Sequence, residues 1–154
     1  MARRVFISYQ HKDRKKANGF RILRWNKNVD VDFQDRHLLS PVDSTNDQYI
    51  KRSIRNEMDG TSATVVIVGK ETKNSEYVDY EIEQSIKKGN GIVAVKADDS
   101  VTDDDVPDKI VEAGGEVMEW DSSEFGDAIE RAASQRSKVG NAKVRGRVGK
   151  GCGR

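Results

Sequence analysis

Ala63-Thr64-Val65-Val66-Ile67-Val68 is the stretch on which the fold turns. It is short, rich in β-branched residues and apolar on both faces, the pattern of a strand in the middle of a covered sheet. A second run of the same kind follows at Ile92-Val93-Ala94-Val95-Lys96. Between them, Asn74 or Ser75 can cap a helix over about 76–88. Glu76 and Asp79 complement its N-terminal dipole, Lys87 and Lys88 its C-terminal one, and Gly89-Asn90-Gly91 ends it. Strand, helix and strand in this order predict two parallel strands joined by a right-handed crossover.

Working outward, the alternation continues in both directions. On the N-terminal side, Asn46 or Asp47 can cap a helix to Met58, with Ile50, Ile54 and Met58 four apart on one face and Asp59-Gly60 as its stop. Before it, Gln34 to Asn46, with Pro41, reads as a long loop. Val29 to Phe33 alternates apolar and polar, as an edge strand does. The stretch to Lys27 carries Phe20 and Leu23 at helical spacing, weakened by Gly19, and Arg3 to Ser8 is a buried strand. On the C-terminal side come an acidic loop (Asp98 to Asp105), a short helix from Pro107 to Ala113, a last strand from Glu116 to Trp120 and a helix from Asp121 or Ser122 to about Arg136. The pattern predicts an α/β protein: a flavodoxin-like three-layer sandwich on a five-stranded parallel sheet of order 2-1-3-4-5. The second strand has the edge pattern and the first, third and fourth the buried one.

The 154 residues suit one domain with a real core, even at 35% hydrophobic and 34% charged residues. No apolar run is long enough to span a membrane. Met1-Ala2-Arg3-Arg4 leads into a strand rather than a signal sequence, so the expected address is the cytoplasm. A single cysteine, Cys152, gives no disulfide framework, and with two histidines no metal site is expected. Lys138, Lys143, Arg145, Arg147, Lys150 and Arg154 follow Ser137 with no acid among them; removing those six from a net charge of +1 leaves the rest near −5. The expected organisation is a domain over 1–137 and a disordered, basic, glycine-rich tail over 138–154. No aromatic residue is there to stack on a base, and nucleic acid is not the expected partner.

In a doubly wound sheet, ligands bind beyond the carboxyl ends of the strands, at the switch between the first and third. Ser8, Tyr9, Gln10 and His11 follow the first strand; Gln34, Asp35, Arg36 and His37 the second; Gly69, Lys70 and Thr72 the third. Glu81 stands out on the helix after the third strand. Val78, Ile82 and Ile86 form that helix's buried stripe, and Glu81 lies on its border beside Tyr77 and Ser85. A carboxylate there is partly desolvated and can face a cleft, although the same spacing also fits a surface glutamate in a glutamate-rich helix.

Val5-Phe6-Ile7-Ser8-Tyr9, followed by His11 and Asp13, resembles the opening strand of the TIR superfamily. Ser62 to Thr72, followed by Ser75-Glu76-Tyr77-Val78-Asp79-Tyr80-Glu81-Ile82, is similar to its third strand and the helix that bears the family's glutamate. The order and spacing are closest to the TIR-like ThsB proteins of Thoeris antiphage defence, over about residues 3–97 and more loosely to 136. The resemblance implies an enzyme that cleaves NAD⁺ at the nicotinamide–ribose bond, with NAD⁺ as substrate and no cofactor. Glu81 would be catalytic, with Phe6, Ser8, Tyr9, His11, Asp35 and Tyr77 around the nucleotide. It further implies an ADP-ribose-derived, cyclic signal acting on a separate effector, self-assembly on activation and a phage-derived trigger. Tyr77 stands where many TIR domains have tryptophan, the loop after the second strand lacks the proline-rich adaptor form, and the tail matches nothing in the family.

Other readings of this fold fare less well. A phosphoacceptor domain needs an aspartate at the end of the third strand, and Val68-Gly69-Lys70 stands there. Gly69 is isolated, which excludes a phosphate-binding glycine loop. A TIR-like interaction or nucleotide-sensing module without turnover remains the alternative.

Overall fold

The structure, a computed structural model, describes residues 3–22, 31–34 and 47–149; for 3, 11, 20–22, 31–34, 47 and 136–149 it describes the backbone alone. Five strands, β1 (Arg3–Tyr9), β2 (Val31–Gln34), β3 (Ala63–Val68), β4 (Gly91–Lys96) and β5 (Glu116–Met118), pair in parallel in the order β2-β1-β3-β4-β5. The α/β class and the parallel sheet clad by helices are those the residue pattern predicts. The register sets Ser8 beside Val66 and Phe6 beside Thr64. Residues two apart share a face, so Phe6, Ser8, Thr64 and Val66 look one way and Val5, Ile7, Tyr9, Val65 and Ile67 the other.

Helices α1 (Arg14–Ile22) and α5 (Ser122–Gly149) cover one face, and α2 (Asp47–Met58), α3 (Glu76–Lys88) and α4 (Asp108–Glu112) the other. The larger core joins Ile7, Val65, Ile67, Val93 and Val95 of the sheet to Phe125 and Ile129 of α5, and takes in Val66 and Ala94 on the other sheet face with Val78 and Ile82 of α3. Each such side chain contributes about 1.5–3 kcal/mol on full burial. Gly91 is required where β4 meets α5, because a Cβ there would lie 2.0 Å from the Ala132 carbonyl oxygen. The smaller core holds Phe6 of β1 against Ile50, Ile54 and Met58 of α2, with Tyr77 and Tyr80 of α3 packed on its edge.

Local signals account for the element ends. The Ser75 hydroxyl accepts from the Val78 amide at 3.2 Å, capping α3, and Gly89 closes that helix at φ 89°. Two ends depart from expectation. β5 stops at Met118, short of Trp120, whose ring turns edge-on to Phe125 at 5.2 Å and anchors the start of α5. The α5 backbone also continues past Arg136 to Gly149, into the stretch expected to be disordered. Residues 150–154 lie outside the described residues. Among the described residues no helix is long and apolar enough to cross a membrane.

Candidate functional site

The α2–α3 face of the sheet carries polar groups inside its packing. α3 presents two stripes four residues apart: Val78, Ile82 and Ile86 enter the larger core, while Tyr77, Glu81 and Ser85 lie towards β1 and α2. Glu81 is 0% exposed, the one fully buried carboxylate among the described residues. Its Oε1 accepts a hydrogen bond from the Ser8 hydroxyl of β1, itself fully buried. One turn further on, the Ser85 hydroxyl donates to the Glu81 carbonyl at 2.8 Å and lies 2.7 Å from the Thr64 hydroxyl of β3. The Asn90 side-chain amide donates to Thr64 at 3.2 Å and to Thr61 at 3.0 Å. A polar seam thus runs from Ser8 down the buried side of α3.

A carboxylate out of water is costly unless partners hold it. The sequence pattern expected Glu81 at the rim of its stripe, partly desolvated and aimed into a cleft. The structure corrects this: the carboxylate is closed in, because β1 lies directly beneath that border and supplies Ser8. Of the other expected residues, Phe6 and Tyr77 meet in the smaller core on this same face. Tyr9 does not join them. One residue beyond Ser8 on a pleated strand, it packs on the opposite side with Val5 and Ile7. His11 heads the 3-10 turn His11–Asp13, its side chain outside the described residues, and Asp35 lies outside them altogether.

A separate cleft of about 190 Å³ opens at the carboxyl ends of β1, β3 and β4, lined by Lys12, Asp13, Gly69, Lys70, Asp98 and Ser100. Asp13 packs so closely on Gly69 that a Cβ there would come within 2.4 Å of its carboxylate. Burial pushes the Asp13 carboxyl above its ordinary range and the Asp98 charge adds to this, against a hydrogen bond from Thr72 that lowers it. Asp98 itself is held below its usual range by the Ser100 hydroxyl and amide. Sequence reasoning met Asp13, Ser85 and Asn90 only as motif and helix landmarks, and gave no site role to them, to Asp98 or to Thr64. Thr64 was the available signal, a hydroxyl inside an otherwise apolar strand.

Residues 6–102 match the family model of the Thoeris protein ThsB, TIR-like domain. The chain belongs to that family. A Bacillus cereus (strain MSX-D12) protein named "Putative cyclic ADP-D-ribose synthase ThsB1" is 35% identical over 100 residues, which make up 62% of this chain. The match covers 52% of that protein, so the chain spans about half the length of its curated relative. The part matched to the ThsB domain holds Phe6, Ser8, Tyr77 and Glu81 and stops before α4, so the polar seam belongs to the family portion of the fold.

Proposed function

We propose that this ThsB-family chain cleaves NAD⁺ at the nicotinamide–ribose bond and releases an ADP-ribose-derived, cyclic signalling nucleotide. The observation that carries the reading is the placement of Glu81, a carboxylate held inside the fold by a hydroxyl of β1. A carboxylate in a dry setting does what this bond cleavage needs. As the C1′–N bond breaks, nicotinamide leaves with the bonding electrons and becomes neutral, while positive charge builds on the anomeric carbon. A negative group beside that carbon stabilises it, as in glycoside hydrolysis. The leaving group needs no proton, so one carboxylate suffices. Glu81 also accepts hydrogen bonds from the ribose hydroxyls and so orients the sugar. If water is kept out, a second hydroxyl of the same ADP-ribose attacks C1′, gives its proton to the Glu81 carboxylate and closes the ring. NAD⁺ is the substrate and no cofactor takes part.

The relative's name supports a cyclase outcome, and membership of the Thoeris family supports a role in antiphage defence. In this reading the chain works in the cytoplasm, assembles with copies of itself when a phage-derived trigger arrives, and reaches its effector through the diffusible product. A second reading, a TIR-like interaction or sensing module without turnover, draws on one observation: Glu81 is closed to solvent in this state. Substrate must displace what covers it.

The test is NAD⁺ loss and product mass in lysate of phage-infected cells expressing wild type or Glu81→Gln. Free nicotinamide and an ADP-ribose-derived mass from the wild type, cut by about 10²–10³-fold in the variant, support the enzyme. Untouched NAD⁺ with both proteins folded supports the module.

A further inference from the structure

Ser8 sits on β1 and Glu81 on α3, 73 residues apart in the chain, yet the hydroxyl of one donates to the carboxylate of the other inside the protein. Neither side chain is exposed. A glutamate has three side-chain torsions, and a catalytic carboxylate has to be held to within about 0.5 Å of its working position. The helix itself is also fixed here: Ser85, on the next turn, holds the Glu81 carbonyl and is tied to Thr64 of β3. Backbone and side chain of Glu81 are therefore each referred to a different central strand.

Resting on the reading of Glu81 given above, we propose that Ser8 is a positioning residue: its hydroxyl orients the Glu81 carboxylate for the ribosyl cation rather than contacting NAD⁺ itself. Phe6, the neighbour of Ser8 on the same face, is occupied by the apolar core with Ile54 and Met58. The polar group that β1 presents at this point is thus engaged by Glu81. A hydrogen bond to a charged group, made equally in ground and transition states, affects the chemical step by setting geometry. Its loss lowers kcat by about 10- to 100-fold and leaves KM for NAD⁺ unchanged.

Thr and Val at position 8 test this directly, because they share a shape that suits a strand and differ in the hydroxyl. Ser8→Thr keeps kcat within a few-fold of the wild type, while Ser8→Val shows the full loss with KM unchanged. A spectroscopic reading does not depend on turnover. The infrared carboxylate band that disappears in Glu81→Gln stays in place in Ser8→Thr and moves in Ser8→Val. A raised KM at unchanged kcat in Ser8→Val would mean that the hydroxyl binds substrate, and the proposal fails. An unmoved carboxylate band overturns it, as does a loss of thermal stability with kcat intact. Should Glu81→Gln turn over like the wild type, the reading of Glu81 fails instead, whatever position 8 does.

Discussion

Two stripes of one helix do opposite work. On α3, Val78 and Ile82 bury hydrocarbon in the main core, where removal from water is itself stabilising. One residue to the side, Glu81 and Ser85 bury a carboxylate and a hydroxyl whose hydrogen bonds replace those they had with water. Net gain from such bonds is small, and the cost of breaking them is larger. The apolar stripe holds the helix on the sheet; under the proposed function, the polar stripe presents the reacting carboxylate from inside it. Proteins accept lower stability at a site that needs a strained or desolvated group.

The largest effect should come from crossing this divide. Ile82→Ala removes a fully buried side chain and should lower unfolding free energy by about 2–5 kcal/mol. Glu81→Gln keeps the shape and an acceptor for Ser8, and should lie within about 1 kcal/mol of the wild type or above it, because a buried charge has gone. Urea unfolding of the two variants reads both. The functional order should be reversed: folded Ile82→Ala retains NAD⁺ cleavage and Glu81→Gln loses it. If Glu81→Gln proves the more destabilising of the two, the polar stripe is structural and the contrast breaks.

A middle-sized effect sharpens the boundary within the polar stripe. Ser85→Ala removes the partner of Thr64 and the bond to the Glu81 carbonyl, but Thr64 keeps the Asn90 amide. The expected loss is about 1–2 kcal/mol, with a smaller drop in turnover than Ser8→Val produces, since Ser85 holds the backbone and not the carboxylate. Equal drops in turnover would show that the helix turn, not the side-chain bond, sets the geometry.

How far the sequence reveals this is uneven, and particular residues show why. The α/β class follows from runs such as 63–68 and 92–96, whose apolarity on both faces fits a covered central strand and little else. The stripe of Val78, Ile82 and Ile86, with Glu81 on its border, follows from a 100° step per residue. Periodicity gives the angle of Glu81 about its helix but not what lies over it; that depends on β1, 73 residues away. The separation of Ser8 from Tyr9 was legible, because adjacent strand residues face opposite ways. Grouping them by proximity in the chain hid it. The polar seam through Thr64 and Asn90 was harder to foresee, since each alone looks like an ordinary strand threonine or turn asparagine.

The smallest expected effect places Asp13 between the two stripes. Its carboxylate is half-buried in the cleft at the carboxyl edge, where solvent still reaches it, in contrast to the closed site of Glu81. Burial raises the folded pKa of Asp13 above its ordinary 3.8, with Asp98 second and the Thr72 hydrogen bond opposing. The folded protein therefore holds this proton more tightly than the unfolded chain does. The stabilisation is fully present below pH 3.8 and is lost as pH rises through the folded value. Asp13→Asn, which still accepts from Thr72, has no such proton to lose. Relative to wild type it should gain stability as pH rises from below 3.8 towards neutral, then run parallel. Urea midpoints for both proteins across that interval give the answer. A constant offset between the two curves would mean that the cleft hydrates Asp13 fully, and that desolvation on this fold is confined to the polar stripe of α3.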